Sequence, residues 1–123
     1  MNIQFLNAKY HGALDYLAAG GLIAFPFLLG LGSDSVIALW LSVAGGAGLI
    51  LYSLLTDYAY GLVKVIPFNL HLMLDLSAAV AFIIAPFIFG FGTLATIYYL
   101  AQAGGVTLVV LATQRAPKQE IAQ

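Results

Sequence analysis

The chain has 123 residues, 63% of them hydrophobic and 7% charged, with a mean hydropathy of +1.02 and a formal net charge of -1. A soluble domain carries about a quarter charged residues, so this composition excludes a hydrated globular surface and points to an integral membrane protein. The near-neutral charge excludes a basic face for nucleic acid, and the lack of cysteine excludes disulfides, thiolate metal sites and cysteine nucleophiles.

Residues 1–10 lack a basic leader and a small-x-small cleavage site, so the first apolar run is expected to stay in the mature chain. A helical span needs about 20 mostly apolar residues, and four stretches qualify. The first runs from about Ala13 to Leu31 and is closed by the turn Gly32-Ser33-Asp34-Ser35, where Asp34 needs no further role. The second runs from about Val36 to Leu55. A link from Thr56 to Asn69 follows, and Asp57 and Lys64 around its apolar residues suggest a short helix lying in the interface. The third span covers about Leu70 to Phe91, with a turn at Gly92-Thr93, and the fourth about Leu94 to Thr113. A polar tail, Gln114 to Gln123, ends the chain.

Lys9 precedes the first span, Lys64 lies in the link, and Arg115 and Lys118 lie in the tail, while neither short turn has a basic residue. The positive-inside rule therefore places both termini and the link in the cytoplasm, with the spans in the plasma or inner membrane. Trp40 near the outer interface, and Tyr10, Tyr52, Tyr58 and Tyr60 near the inner one, read as aromatic anchors. Pro26 and Pro86 each withhold a backbone donor from the carbonyl four residues back, at Leu22 and Phe82, and imply a packing bend near the outer helix end. Ala44/Gly48, Ser77/Ala81/Ala85 and Ala101/Gly105 are small-xxx-small patterns, which ordinarily serve close helix packing within the chain and can equally present a face to a partner or a second copy.

The chain repeats itself. Residues 11–51 set without a gap against 71–111 give about 13 identities in 41 pairs, where composition alone predicts roughly five. The matches include His11/His71, Asp15/Asp75, Pro26/Pro86, Phe27/Phe87, Gly30/Gly90, Gly32/Gly92 and Gly45/Gly105. The expected fold is a single all-α membrane domain of four transmembrane helices. Two tandem helical hairpins, about 11–55 and about 70–113, would be related by a pseudo-two-fold axis along the membrane normal. Two-helix units with a proline-aromatic motif late in the first helix and Gly-x-Gly at the turn resemble the SPW-repeat integral membrane proteins. Phe25-Pro26-Phe27 and Ala85-Pro86-Phe87 stand here where that family has Ser-Pro-Trp. The resemblance implies a membrane fold and supplies no activity.

His11 and Asp15, and again His71 and Asp75, are four residues apart and so share one helix face. If the first and third spans face each other, these four ionisable side chains converge at one level near the cytoplasmic side. Ionisable groups at membrane depth are costly unless paired or wetted, which makes this the candidate site. Three roles compete: a hydrogen-bonded cluster that fixes helix register, a proton or cation pathway, and a ligand set for a divalent metal or for a haem held between the histidines. No Ser/His/Asp order, phosphate loop or dinucleotide fingerprint is present, so an enzyme is not expected. The sequence favours a small membrane protein that acts by association in the lipid, with itself or as an accessory subunit. The alternatives are a transporter or channel using the cluster, and a metal- or haem-binding protein.

Overall fold

A computed structural model describes residues 4–114. Its elements are α1 (Ala8–Leu28), the short α2 (Leu31–Asp34), α3 (Val36–Leu54), α4 (Phe68–Phe89) and α5 (Thr93–Ala112). The four long helices have 19 to 22 residues and mean hydropathies of 1.2 to 2.3. At 1.5 Å per residue they measure about 29–33 Å, enough to cross a membrane. Their outer faces carry large apolar side chains such as Leu17, Leu28, Phe87 and Leu108, as lipid contact requires.

Helix boundaries follow from local chemistry. The Asn7 side chain accepts from the Tyr10 N–H at 3.0 Å, so α1 starts five residues earlier than the apolar run suggests. It ends before Gly30, which takes a φ of 68° that a side chain would strain, and Gly90 does the same after α4 with a φ of 65°. Residues 32–35 were expected as the turn, and Leu31–Asp34 form the extra helical turn α2. Ser35 then caps α3 by accepting from the Ala38 N–H.

The link carries no helix, contrary to expectation. Thr56 and Ile66 pair as an isolated bridge, with the Asp57 N–H bonded to the Ile66 carbonyl and the Ile66 N–H to the Leu55 carbonyl. A loop pinned at both ends in this way spends its backbone groups on itself rather than on a helix. A second bridge joins Leu6 to Thr113, so the chain segments before α1 and after α5 meet at the same end of the bundle as the link. The tail from residue 115, with Arg115 and Lys118, lies outside the described residues.

α1 packs mainly against α3, and α4 mainly against α5. Each buries one stripe: His11, Asp15, Ala19, Leu22 and Pro26 in α1, and His71, Asp75, Ala79 and Pro86 in α4. In α3 the stripe is Ala38, Ser42, Gly46, Leu49 and Ser53, and in α5 it includes Ala95, Tyr99, Ala103 and Val110. Between α1 and α3 the backbones come close at Gly46, where a Cβ would stand 2.8 Å from the Ala19 carbonyl oxygen and from Ile23 Cγ1. The small-residue patterns named above do not make this contact. Ala44, Ser77, Ala81, Ala101 and Gly105 are exposed, and Gly48 has nothing within 4 Å of a Cβ.

The Leu22 carbonyl freed by Pro26 finds a donor on α3. Ser42 Oγ donates to the Leu22 carbonyl at 2.8 Å, and the Tyr98 hydroxyl donates in turn to Ser42 Oγ at 2.7 Å. Side chains of neighbouring helices commonly satisfy proline-freed backbone groups in this way. Asp34 also has a role that the sequence reading denied it. Its carboxylate accepts from the Gly92 and Ala95 N–H groups at 2.7 and 2.8 Å, capping α5 from across the bundle.

Candidate metal centre

His11 and His71 each stand three residues into their helix, in the first turn, and Asp15 and Asp75 stand one turn deeper. That puts the aspartates about 10 Å along each helix from its start. The stripe spacing turns all four inward, and all four are buried. One ligand atom from each lies within 4.8 Å of the other three. His11 Nε2 is 3.2 Å from Asp15 Oδ1 and 2.9 Å from Asp75 Oδ2. His71 Nε2 is 2.9 Å from Asp15 Oδ2 and 3.4 Å from Asp75 Oδ2. Each histidine thus makes its shorter contact with the aspartate of the other helix.

The far side of each imidazole fixes its protons. His11 Nδ1 is 2.8 Å from Thr113 Oγ1, and His71 Nδ1 is 2.7 Å from Thr56 Oγ1. Each threonine spends its single hydroxyl hydrogen on the carbonyl one turn back, Thr113 on Val109 at 2.5 Å and Thr56 on Tyr52 at 2.6 Å. Both threonines must therefore accept, and both Nδ1 atoms must donate. The two Nε2 atoms are left to face the carboxylates. A hydrogen bond on the remote nitrogen is the usual way of orienting a ligating histidine. The bridges Leu6–Thr113 and Thr56–Ile66 hold the two threonines in place.

Two tyrosines orient the carboxylates. Tyr52 donates to Asp75 Oδ1 at 2.5 Å, and Tyr58 donates to Asp15 Oδ2 at 2.9 Å. Burial, and then the charge of Asp15, push the Tyr58 hydroxyl in the link well above the usual phenol range, so it stays a donor. Both rings were expected to be interfacial anchors. Tyr58 is instead 5% exposed and packs on His71 and Phe68. Tyr10, Tyr60 and Trp40 are exposed, as anchors are.

The hydrogen bonding within the cluster is incomplete. His71 Nε2 is fully buried and makes no hydrogen bond of acceptable angle, although two carboxylate oxygens lie within 3.4 Å. A haem does not fit between the imidazoles: the rings meet edge to face with centroids 5.4 Å apart, and both Nε2 atoms reach the same oxygen, Asp75 Oδ2. A single small cation does fit the donor set. Nitrogen and carboxylate ligands about 2.0–2.2 Å from a tetrahedral zinc stand roughly 3.3 Å apart, close to the four 2.9–3.4 Å nitrogen–oxygen contacts here, while the full set of one atom per residue lies within 4.8 Å.

Thr56, Thr113, Tyr52 and Tyr58 are the hydrogen-bond partners of the cluster that sequence reasoning missed. No family model, curated protein or solved structure matches the chain, so the resemblance to SPW-repeat proteins rests on the sequence motifs alone.

Proposed function

We propose that the chain holds one divalent transition-metal ion at membrane depth, ligated by His11 Nε2, His71 Nε2, Asp15 and Asp75. The proton count carries this reading. With both Nδ1 atoms committed as donors to threonine, two Nε2 atoms face two carboxylates. That arrangement is electrically neutral with two extra protons or with one dication, and otherwise holds uncompensated charge. A bare proton pair would give well-aligned hydrogen bonds at every position, and His71 Nε2 lacks one. Two imidazoles and two carboxylates suit zinc and its first-row neighbours. Four protein ligands make the centre of the closed, holding type. Action by association alone would work through exposed faces and gives no reason for four ionisable groups at this depth.

We further propose that α1/α3 and α4/α5 are tandem hairpins related by a pseudo-two-fold axis, with the cluster on that axis and both termini cytoplasmic. The buried positions support this: those of α1 recur in α4 after 60 residues except Leu22, whose counterpart Phe82 is only partly buried, and those of α3 recur in α5 after 57 except Leu49, whose counterpart is Val106. The cytoplasmic placement rests on Lys9, Lys64, Arg115 and Lys118.

The test is metal uptake. Protein purified in detergent and stripped with a chelator is expected to take up one equivalent of Zn²⁺ by calorimetry. His71→Ala is expected to lower that affinity at least about 100-fold, since it removes a ligand itself. Circular dichroism checks that the variant keeps its helices. Equal affinity in the folded variant and the unsubstituted chain would sink the proposal.

A further inference from the structure

Between the pair α1/α3 and the pair α4/α5 lies a cavity of about 570 Å³, lined by all four long helices. It is of the size that receives a small organic ligand. Its floor is polar, made by Asp15, Asp75 and Tyr52. Its walls rise past Ala79 and Val106 to Leu22 and Phe82, which stand seven residues, about 10 Å, beyond the aspartates along α1 and α4.

One polar side chain interrupts the apolar wall. Gln102 is the tenth of the twenty residues of α5, near mid-span, and is half-buried against the cavity. Its amide makes no hydrogen bond among the described residues. An unmet amide at that depth is costly, and this one borders the cavity. Two wall positions are also smaller than packing requires. A Cβ at Gly48 or at Gly105 would meet nothing within 4 Å. Glycine weakens a helix interior, and neither of these lets a backbone approach. Both leave the cavity wall without a side chain, Gly105 on its exposed side.

We propose that this cavity binds an uncharged lipophile with a hydroxyl-bearing head. The apolar body lies along Leu22, Phe82 and Val106. A head hydroxyl donates to the Asp15 or Asp75 carboxylate, and Gln102 meets a second polar atom of the head. An anionic head is disfavoured because the floor offers it carboxylate oxygens. A cationic head finds those carboxylates already balanced by the histidines or by a metal. The inference holds in either state of the cluster, so it does not depend on the metal. Acylglycerols and quinols share this chemistry.

The test is native mass spectrometry of the full chain in detergent, offered monoolein, oleate or a short-chain ubiquinol. One monoolein or one quinol is expected per chain, with whichever is retained longer naming the source, and oleate is expected to bind at least tenfold more weakly. Gln102→Leu is expected to weaken binding about five- to tenfold, as loss of one hydrogen bond does. The double substitution Gly48→Leu and Gly105→Leu fills the cavity. It is expected to abolish lipophile binding while leaving Zn²⁺ uptake unchanged, which separates this inference from the metal reading. Oleate binding as tightly as monoolein, or undiminished binding to the filled variant, would overturn it.

Discussion

The two ends of the bundle join the same helices by different chemistry. At the turn end, Asp34 caps α5, the Tyr99 hydroxyl donates to the Ala38 carbonyl at 2.6 Å, and Tyr98 bonds Ser42. One carboxylate and a few hydroxyls suffice, backed by an apolar cluster of Leu31, Ala38, Ala85, Ala95, Tyr98 and Tyr99. At the other end, two backbone bridges and an apolar cluster around Phe68 and Leu72 already do the fastening. The four ionisable side chains and the tyrosines and threonines that orient them come in addition. Fastening helices at the turn end of this fold does not require buried charge, and that contrast is what favours the metal-holding role proposed for the cluster.

The comparison breaks most readily at the threonines. Thr56→Val and Thr113→Val each leave an imidazole Nδ1–H without its acceptor while keeping side-chain volume. Each is expected to lower Zn²⁺ affinity about 10- to 100-fold, the usual effect of losing a partner behind a metal ligand. The two losses should agree within about threefold, because the threonines occupy equivalent places behind the two histidines. Calorimetric titration of both variants reads this directly. Unchanged affinity in both would return the cluster to a purely structural role, and a loss in one alone would end the two-fold reading.

Asp34→Ala sharpens the contrast from the opposite end. Removal of a carboxylate cap is expected to cost about 1 kcal/mol in a denaturant titration of the micelle-bound protein. Zn²⁺ affinity is expected to stay where it was, since Asp34 touches only the start of α5. A parallel fall in metal affinity would show that the two ends are coupled and that the division drawn above is wrong.

Much of this was legible in the sequence because it depends on period and composition. Four spans follow from hydropathy, and the His-x-x-x-Asp spacing puts each pair on one helix face. What was not legible lies mostly off that period. Thr56 and Thr113 sit just past the helix ends, where bridging β contacts between distant segments decide the geometry. An ungapped self-alignment also hides their equivalence, because the first turn is three residues longer. Leaving out residues 33–35 sets Thr56 on Thr113, Ala38 on Ala95 and Gly48 on Gly105, and gives 16 identities in 43 pairs. Tyr52 and Tyr58 were misread because an amphipathic ring near an interface suits an anchor and a buried donor equally well. The small-residue patterns left packing within the chain and a face for a partner both open, because spacing names a face without saying what the face meets.

The smallest expected effect concerns Pro26. Its ring leaves the Leu22 carbonyl without a helical donor, and Ser42 Oγ fills that place. Ser42→Ala exposes the carbonyl to an apolar surrounding and also strands the Tyr98 hydroxyl. Side-chain hydrogen bonds between membrane helices are worth about 0.6 kcal/mol on average, so a loss of that order is expected, below that of Asp34→Ala. A double-mutant cycle isolates the cause. In a Pro26→Ala background the residue 26 N–H can reach the Leu22 carbonyl itself, and Ser42→Ala should then cost less than it does beside proline. The same cost in both backgrounds would mean that the serine acts through Tyr98 alone. The turn end would then be fastened by hydroxyl pairing between α3 and α5, with the proline-freed carbonyl a bystander.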